Sequence, residues 1–386
     1  MPAEGILVLD ALPAQESAAR LDAWTEEARP RGVLALVAEA DREDGVPLLQ
    51  RLCRERGLAL HGAVFPALVA GGRFAPRGAV LLALPPDAAA RLEGPFPADA
   101  DARRAAVGRI AEDVAAGLER PHETALLLVF DAMLPDVASL LDVLYLKLAD
   151  GVRYLGVNAG SETFRPIPCL FDGERAVQGG LLSVTLPGHP GAVLEHGYQV
   201  PVRTISATAT EGNRVVTIDW RPAFDVYREL IREEYGVDVD RESFYRLAVH
   251  FPFGIVRADD EVLVRIPVAL EPDGSLFCVG EVPPDALLTL LRAPTIDSER
   301  TVAKLATALA ARAPAGPGSG LLAFYCAGRR LHLGERSAGE LGALARVTGA
   351  SPVAGALSLG EIGHSHQWGY PLFHNGAIVC CRWGPP

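Results

Sequence analysis

One order of elements occurs three times in this chain, and that recurrence constrains the fold more than any single motif. In the first unit an amphipathic helix over 13–28 leads into the apolar strand GVLALVA at 32–38. A second helix over 46–56, the strand-like LALHGAVF, a glycine-rich loop and the closing strand RGAVLLALP follow. The second unit comes after a Pro/Asp/Ala segment near 85–100, with a helix over 101–119, ALLLVFD at 125–131, a helix over 136–148, VRYLGVNAG and then PIPCLFDGERAVQGGLLSVTLPG. The third starts after Pro294, with a helix over 298–312, the break PAGPGSG, LLAFYCAG, a helix over 336–346, SPVAGALSLG and the closing PLFHNGAIVCCRW. Self-similarity at this scale points to duplication.

The first two strands of each unit are joined through a helix and should lie parallel by a right-handed crossover. The last strand then returns antiparallel, so the expected class is mixed α/β (α+β), with helices flanking parallel/antiparallel sheets. Between the second and third units the texture changes. GAVLEHGYQV, VRTISATAT, NRVVTIDW, VLVRIPVAL and GSLFCVGEV alternate like half-buried antiparallel strands, around a helix over 222–235 that opens near Pro222. At 386 residues the chain exceeds one ordinary core, and the most economical boundary lies near Trp220, giving two related lobes, 1–220 and 221–386.

Composition narrows the function. The net charge is −12, and the basic residues are 34 Arg with only Lys147 and Lys304, so no basic stripe exists to track phosphates and a nucleic-acid partner is not expected. Both lysines sit in helical patterns, which argues against Schiff-base chemistry. The six cysteines form no CxxC pair and read as reduced core residues. The start MPAEGILVLDALPAQ lacks signal-peptide character, and no run approaches the ~20 apolar residues that span a bilayer. A cytoplasmic protein without membrane contact is the expectation. No GxSxG elbow, P-loop or GxGxxG after a strand is present, so no residue is assigned a catalytic role, and an enzyme working through the loop that holds Glu361, His364 and His366 stays open as an alternative.

An ordered series of motifs resembles the FIST family, a sensory module made of an N and a C part. In the first lobe these are LGVNAGSETF, LFDGERAVQGGLLSVTL, HGYQVPV and GNRVVTIDWRPAFDVYREL. In the second they are FPFGIV, LVRIPVALEPDGSLFCVGEVP, SLGEIG and FHNGAIV. The resemblance implies a small-molecule sensor, with an amino acid or similar metabolite as ligand and a histidine kinase or receptor as a separate partner. One branch is similar to nitric-oxide-sensing haem proteins, which makes haem a candidate cofactor. The first unit departs from the pattern with Phe65-Pro66 where a small-residue turn is expected, which speaks against a ligand site there.

Candidate site residues cluster in SLGEIGHSHQWGYPLFHNGAIV. The stretch from Leu357 to Tyr370 reads as a loop long enough to be functional. Gly360 and Gly363 bracket Glu361, which suits an amine, while His364 and His374 supply polar walls. His364 and His366, two apart, could instead share a metal ion, and a purely structural turn is the third reading. Arg265, inside VLVRIPV, needs a carboxylate from a ligand or from Glu361 or a nearby Asp. Cys326 ends a strand at the edge where parallel sheets carry ligands. Asn158 and Ser161, in NAGSET, stand where the second unit matches LGEIGH, and could form an equivalent pocket or a capped turn. For haem, His250 and His196 are the axial candidates by their apolar or aromatic neighbours.

Overall fold

The computed structural model describes residues 5–257, 261–291, 297–313, 319–364 and 369–384. Among these, three six-stranded sheets share one strand order. In the first, Ile6–Leu9, Ala79–Leu84, Gly32–Ala38 and Ala59–Phe65 are followed by the hairpin Leu170–Asp172 and Ala176–Val177. In the second, Ala89–Glu93, Leu181–Pro187, Thr124–Asp131 and Val152–Ala159 are followed by Glu361–His364 and Pro371–His374. In the third, Val193–Glu195, Ile378–Trp383, Gly320–Cys326 and Val353–Ser358 are followed by Leu68–Ala70 and Arg73–Ala75. The central pair is parallel and the return strand antiparallel in every sheet. The protein is thus mixed α/β, with mixed sheets flanked by helices.

The last two strands of each sheet come from another repeat. The hairpin of the first repeat completes the third sheet, that of the second completes the first, and that of the third completes the second. This cyclic exchange closes the three sheets around one shared core containing Leu36, Leu127, Val129, Leu322, Phe324 and Val379. The outer face of the second sheet packs on helices Ala100–Ala116 and Val137–Leu148, that of the third on Ser298–Arg312 and Arg336–Thr348. Burial on both faces explains why the central strands read as continuous apolar runs rather than alternating ones.

Two sequence details recur with the repeat. Gly62, Gly156 and Gly355 hold the same register on the second parallel strand, where an added Cβ would lie 2.5, 2.2 and 1.9 Å from the carbonyl oxygens of Ala35, Leu128 and Ala323. Only glycine permits that approach. The first helix of the second and third repeats is capped by an aspartate, Asp99 accepting from the Ala102 N–H at 2.8 Å and Asp297 from the Arg300 N–H at 2.9 Å.

Between Glu195 and Ser298 the third repeat carries an inserted module. Its two small antiparallel sheets and the helices Ala223–Tyr235 and Phe244–Ala248 build a separate core around Tyr227, Phe244 and Phe253. Trp220 falls inside this module. Several expectations change here. The supposed loop from Leu357 to Tyr370 holds the strand Glu361–His364, whose partners Val157 and Gly156 lie about two hundred residues away, so local periodicity could not reveal it. The Pro/Asp/Ala segment contains an edge strand, Ala89–Glu93. GAVLEHGYQV contributes Val193–Glu195 to the third sheet rather than to the intervening strands, and a short helix, Ala327–Leu333, follows Cys326.

Candidate functional site

The C-terminal ends of the parallel strands in the second and third repeats meet the inserted module around a cavity of about 560 Å³. The second repeat supplies Ala132 to Pro135 after one strand end, and Asn158 with Glu162 to Phe164 after the other. The third repeat supplies Cys326 to Gly328, Leu331, Leu359, Phe373 and Asn375, and the insert closes the remaining side with Asn213, Tyr245, Ile266 to Ala269 and Phe277. The size suits a small organic ligand. Four apolar side chains of this lining, Met133, Tyr245, Phe277 and Leu331, remain 39, 67, 37 and 58% exposed. They come from four separate segments, and an apolar rim of that kind marks an interaction site more often than a passive surface.

Of the residues singled out in the sequence, Asn158 and Cys326 line this cavity. Asn158 is 2% exposed, and its Oδ1 accepts no hydrogen bond from the described residues, although its backbone is tied to Gly360 and Leu359. The Cys326 thiolate is disfavoured by burial, and its Sγ receives the Gly376 N–H at 3.1 Å. Ser161 is buried just behind the lining, with its Oγ 2.9 Å from Thr163 Oγ1.

Glu361 is fully buried next to that wall rather than in it. Its Oε1 accepts from Ser358 Oγ at 2.5 Å and its Oε2 from the Ala377 N–H at 3.2 Å. Burial pushes its pKa up to about 7, against the lowering effect of those hydrogen bonds and of the Cys326 thiol. A carboxylate so placed braces the end of one strand against the start of the return strand. Gly360 admits the Phe373 ring, which an added Cβ would approach to 2.3 Å, and Gly363 lies against Leu194.

Arg265 is 2% exposed and forms no ion pair with a carboxylate among the described residues. Its Nε donates to the Glu281 carbonyl at 2.9 Å, and its Nη1 to those of Val264 and Phe373 at 3.0 and 2.8 Å, while the guanidinium lies 5.5 Å over the Phe373 ring. The expected pairing with Glu361 or an aspartate is replaced by backbone acceptors, and burial pushes the pKa down to about 10. Arg329, by contrast, is matched by charge, its Nε and Nη2 meeting Glu340 at 2.7 and 2.6 Å with both side chains fully buried.

The histidines disperse. His364 Nδ1 lies 2.8 Å from the Gly369 carbonyl, in a separate polar basin with Arg153 and Arg312, and burial pushes its pKa down to about 4. His374 is buried, its ring 6.4 Å from that of His196. His366 lies outside the described residues, and among those described no three His, Cys, Asp or Glu side chains gather to hold a metal ion. His250 Nδ1 sits 2.8 Å from His332 Nδ1, and His196 Nδ1 accepts the Tyr198 N–H at 3.0 Å. Neither lines the cavity, whose described lining contains no histidine, so these residues do not fit a haem held there. Sequence reading missed Asn213 and the apolar rim as parts of a site, since GNRVVTIDW read only as a strand motif and the rim comes from four separate segments. Asn375 lay unremarked inside FHNGAIV.

No helix among the described residues is long and apolar enough to cross a membrane. A comparison with curated proteins finds no match. The family comparison is decisive, because the FIST N domain matches residues 33–221 and the FIST C domain residues 223–364. Together they cover most of the repeats and the whole insert, and the chain belongs to the FIST family.

Proposed function

We propose that this protein is a small-ligand sensor whose ligand occupies the cavity between the second repeat, the third repeat and the insert. FIST domains are generally described as small-ligand sensory domains of signalling proteins, and a cavity of about 560 Å³ rimmed by exposed Met133, Tyr245, Phe277 and Leu331 is the observation that carries the reading here. Segments 1–220 and 221–386 act together in it, since each supplies part of the wall. Asn158 and Cys326 contact the ligand in this reading. Glu361, Gly360, Gly363, His374, Arg265 and Ser161 hold the walls in place, and His364 stands apart in its own basin.

The signal leaves through a separate protein, such as a histidine kinase or a receptor, in the cytoplasm. Ligand entry would be felt by the insert, because Pro267 to Ala269 and Phe277 belong to one of its sheets while Cys326 and Asn158 belong to the repeats. Native mass spectrometry of the purified chain, followed by thermal-shift measurement against a metabolite panel, tests the proposal. A retained small molecule or a rise in Tm with a subset of compounds is the expected result. A bare chain with a flat response across the panel counts against a sensory role.

A further inference from the structure

Resting on that reading, we infer that the cavity selects an uncharged, mostly apolar ligand bearing a carboxamide-like edge, rather than an amino-acid zwitterion. Two observations carry this. The first is a pair of buried amides. Asn158 and Asn213, 2 and 8% exposed, both line the cavity, and neither Oδ1 has a hydrogen-bond partner among the described residues. A buried polar atom left unpaired is costly because it gives up water and gains nothing in return, so two in one cavity are best understood as groups held for a ligand. A third lining asparagine shows what a structural one looks like here. Asn375 Oδ1 accepts the Ile266 N–H at 3.1 Å and its Nδ2 donates to the His374 carbonyl at 3.0 Å.

The second observation is charge. The described lining contains no Arg, Lys or His, and Glu162 is its one ionisable carboxylate. A ligand carboxylate would enter a mainly apolar wall with no cation to meet it, at a desolvation cost that pairing could not offset. Arg265 does not fill that role. It lies behind Phe373 and Gly280, where a Cβ on Gly280 would come within 3.1 Å of its Nε, and its Nε and Nη1 are held by carbonyls. A carboxamide on the ligand, by contrast, offers a donor and an acceptor that match the same pair on an asparagine side chain. The apolar remainder of the ligand then packs against Leu134, Val249, Ile266 and Phe277.

Titration calorimetry of the full chain with one ring carrying five different substituents tests the inference, using neutral indole-3-acetamide and 3-methylindole, anionic indole-3-acetate, cationic tryptamine and zwitterionic L-tryptophan. The amide is expected to bind at least tenfold more tightly than the acetate and L-tryptophan, and more tightly than 3-methylindole. Asn158→Leu and Asn213→Leu should each weaken the amide about fivefold, the size of one net hydrogen bond, while leaving 3-methylindole unchanged. Asn158→Asp, of nearly equal volume, serves if a leucine variant does not fold, and should move the preference toward tryptamine. Equal or tighter binding of the acetate or of L-tryptophan overturns the ligand class, as does a wild-type preference for tryptamine or amide affinity indifferent to all three variants. If no member binds, including 3-methylindole, the inferred ligand class is overturned, while the sensory reading stands or falls on the metabolite panel.

Discussion

The ends of the parallel strands look alike in backbone and unlike in content. In the first repeat the terminal pair is Ala38 opposite Phe65, in the second Asp131 opposite Ala159, and in the third Cys326 opposite Ser358. Phe65 is fully buried and packs its ring 5.9 Å from that of Phe324, so the first strand end is plugged by an aromatic side chain. At the other two ends small residues leave room, and the insert of the third repeat roofs that room to make the cavity. One scaffold repeated three times therefore does not give three sites. Side-chain volume at a single register and one insertion decide which end is open.

The sharpest way to break the comparison is to attack what the repeats share. Gly355→Val places a side chain where even a Cβ would lie 1.9 Å from the Ala323 carbonyl oxygen. The parallel pair would have to separate, and we expect a cost above about 4 kcal/mol, enough to leave little folded protein by circular dichroism. Gly156→Val, at 2.2 Å from Leu128 O, should behave the same way. A variant at either position that melts like wild type would mean that the common register is not a common requirement.

Phe65→Ala comes next. Removing a fully buried aromatic ring from the closed strand end should cost about 3–5 kcal/mol in denaturant unfolding, because Phe324 loses the ring it packs against. Affinity of the open cavity for 3-methylindole should not change, since Phe65 is not among its lining residues. A loss of binding together with stability would show the two ends to be coupled through the shared core.

Glu361→Gln tests the open end in a different way. The folded carboxyl releases its proton near pH 7, against 4.5 for an ordinary glutamate, because burial disfavours the charge. Between those values the native chain holds more protons than the unfolded one, so this group makes stability fall as pH rises through the window. The cost above pH 7 amounts to about 3 kcal/mol. His189 and His364, pushed down to about 4 by burial, act in the opposite sense, withdrawing stability as pH drops below 6.5. The difference between wild type and Glu361→Gln isolates the carboxyl. The variant should gain nothing near pH 4 and become the more stable protein by pH 8, and parallel curves would rule out a buried, elevated carboxyl.

How much of this was legible beforehand depended on distance along the chain. Helices and central strands could be read because their signals are local. The Gly32–Ala38 strand and the Ser298–Arg312 helix fall where their apolar patterns place them. The exchanged hairpins were not readable, since Glu361–His364 is short and its partner strand belongs to another repeat. The site divided along the same line. Asn158 and Cys326 were visible as strand-end residues of a parallel pair. Asn213 was not, because its role arises only when the insert folds over strand ends more than fifty residues away. Arg265 was conspicuous for burial, but no sequence pattern predicts that carbonyls rather than a carboxylate will receive it.

The smallest expected effect on stability belongs to the rim, and it is the most informative about function. Leu331 is 58% exposed, so Leu331→Asp should shift unfolding by no more than about 0.5 kcal/mol, the usual range for exposed positions. The same change puts a charge at the mouth of an apolar cavity. An apolar ligand entering past it would leave the carboxylate partly desolvated or force it aside, and either outcome lowers affinity. Calorimetry with 3-methylindole should show binding weakened by tenfold or more at an unchanged Tm. Phe65→Ala is the mirror case, with stability lost and binding kept, so the two variants together separate the closed strand end from the open one. If Leu331→Asp binds as wild type does, ligand enters elsewhere and the exposed apolar rim serves a partner protein instead of the cavity.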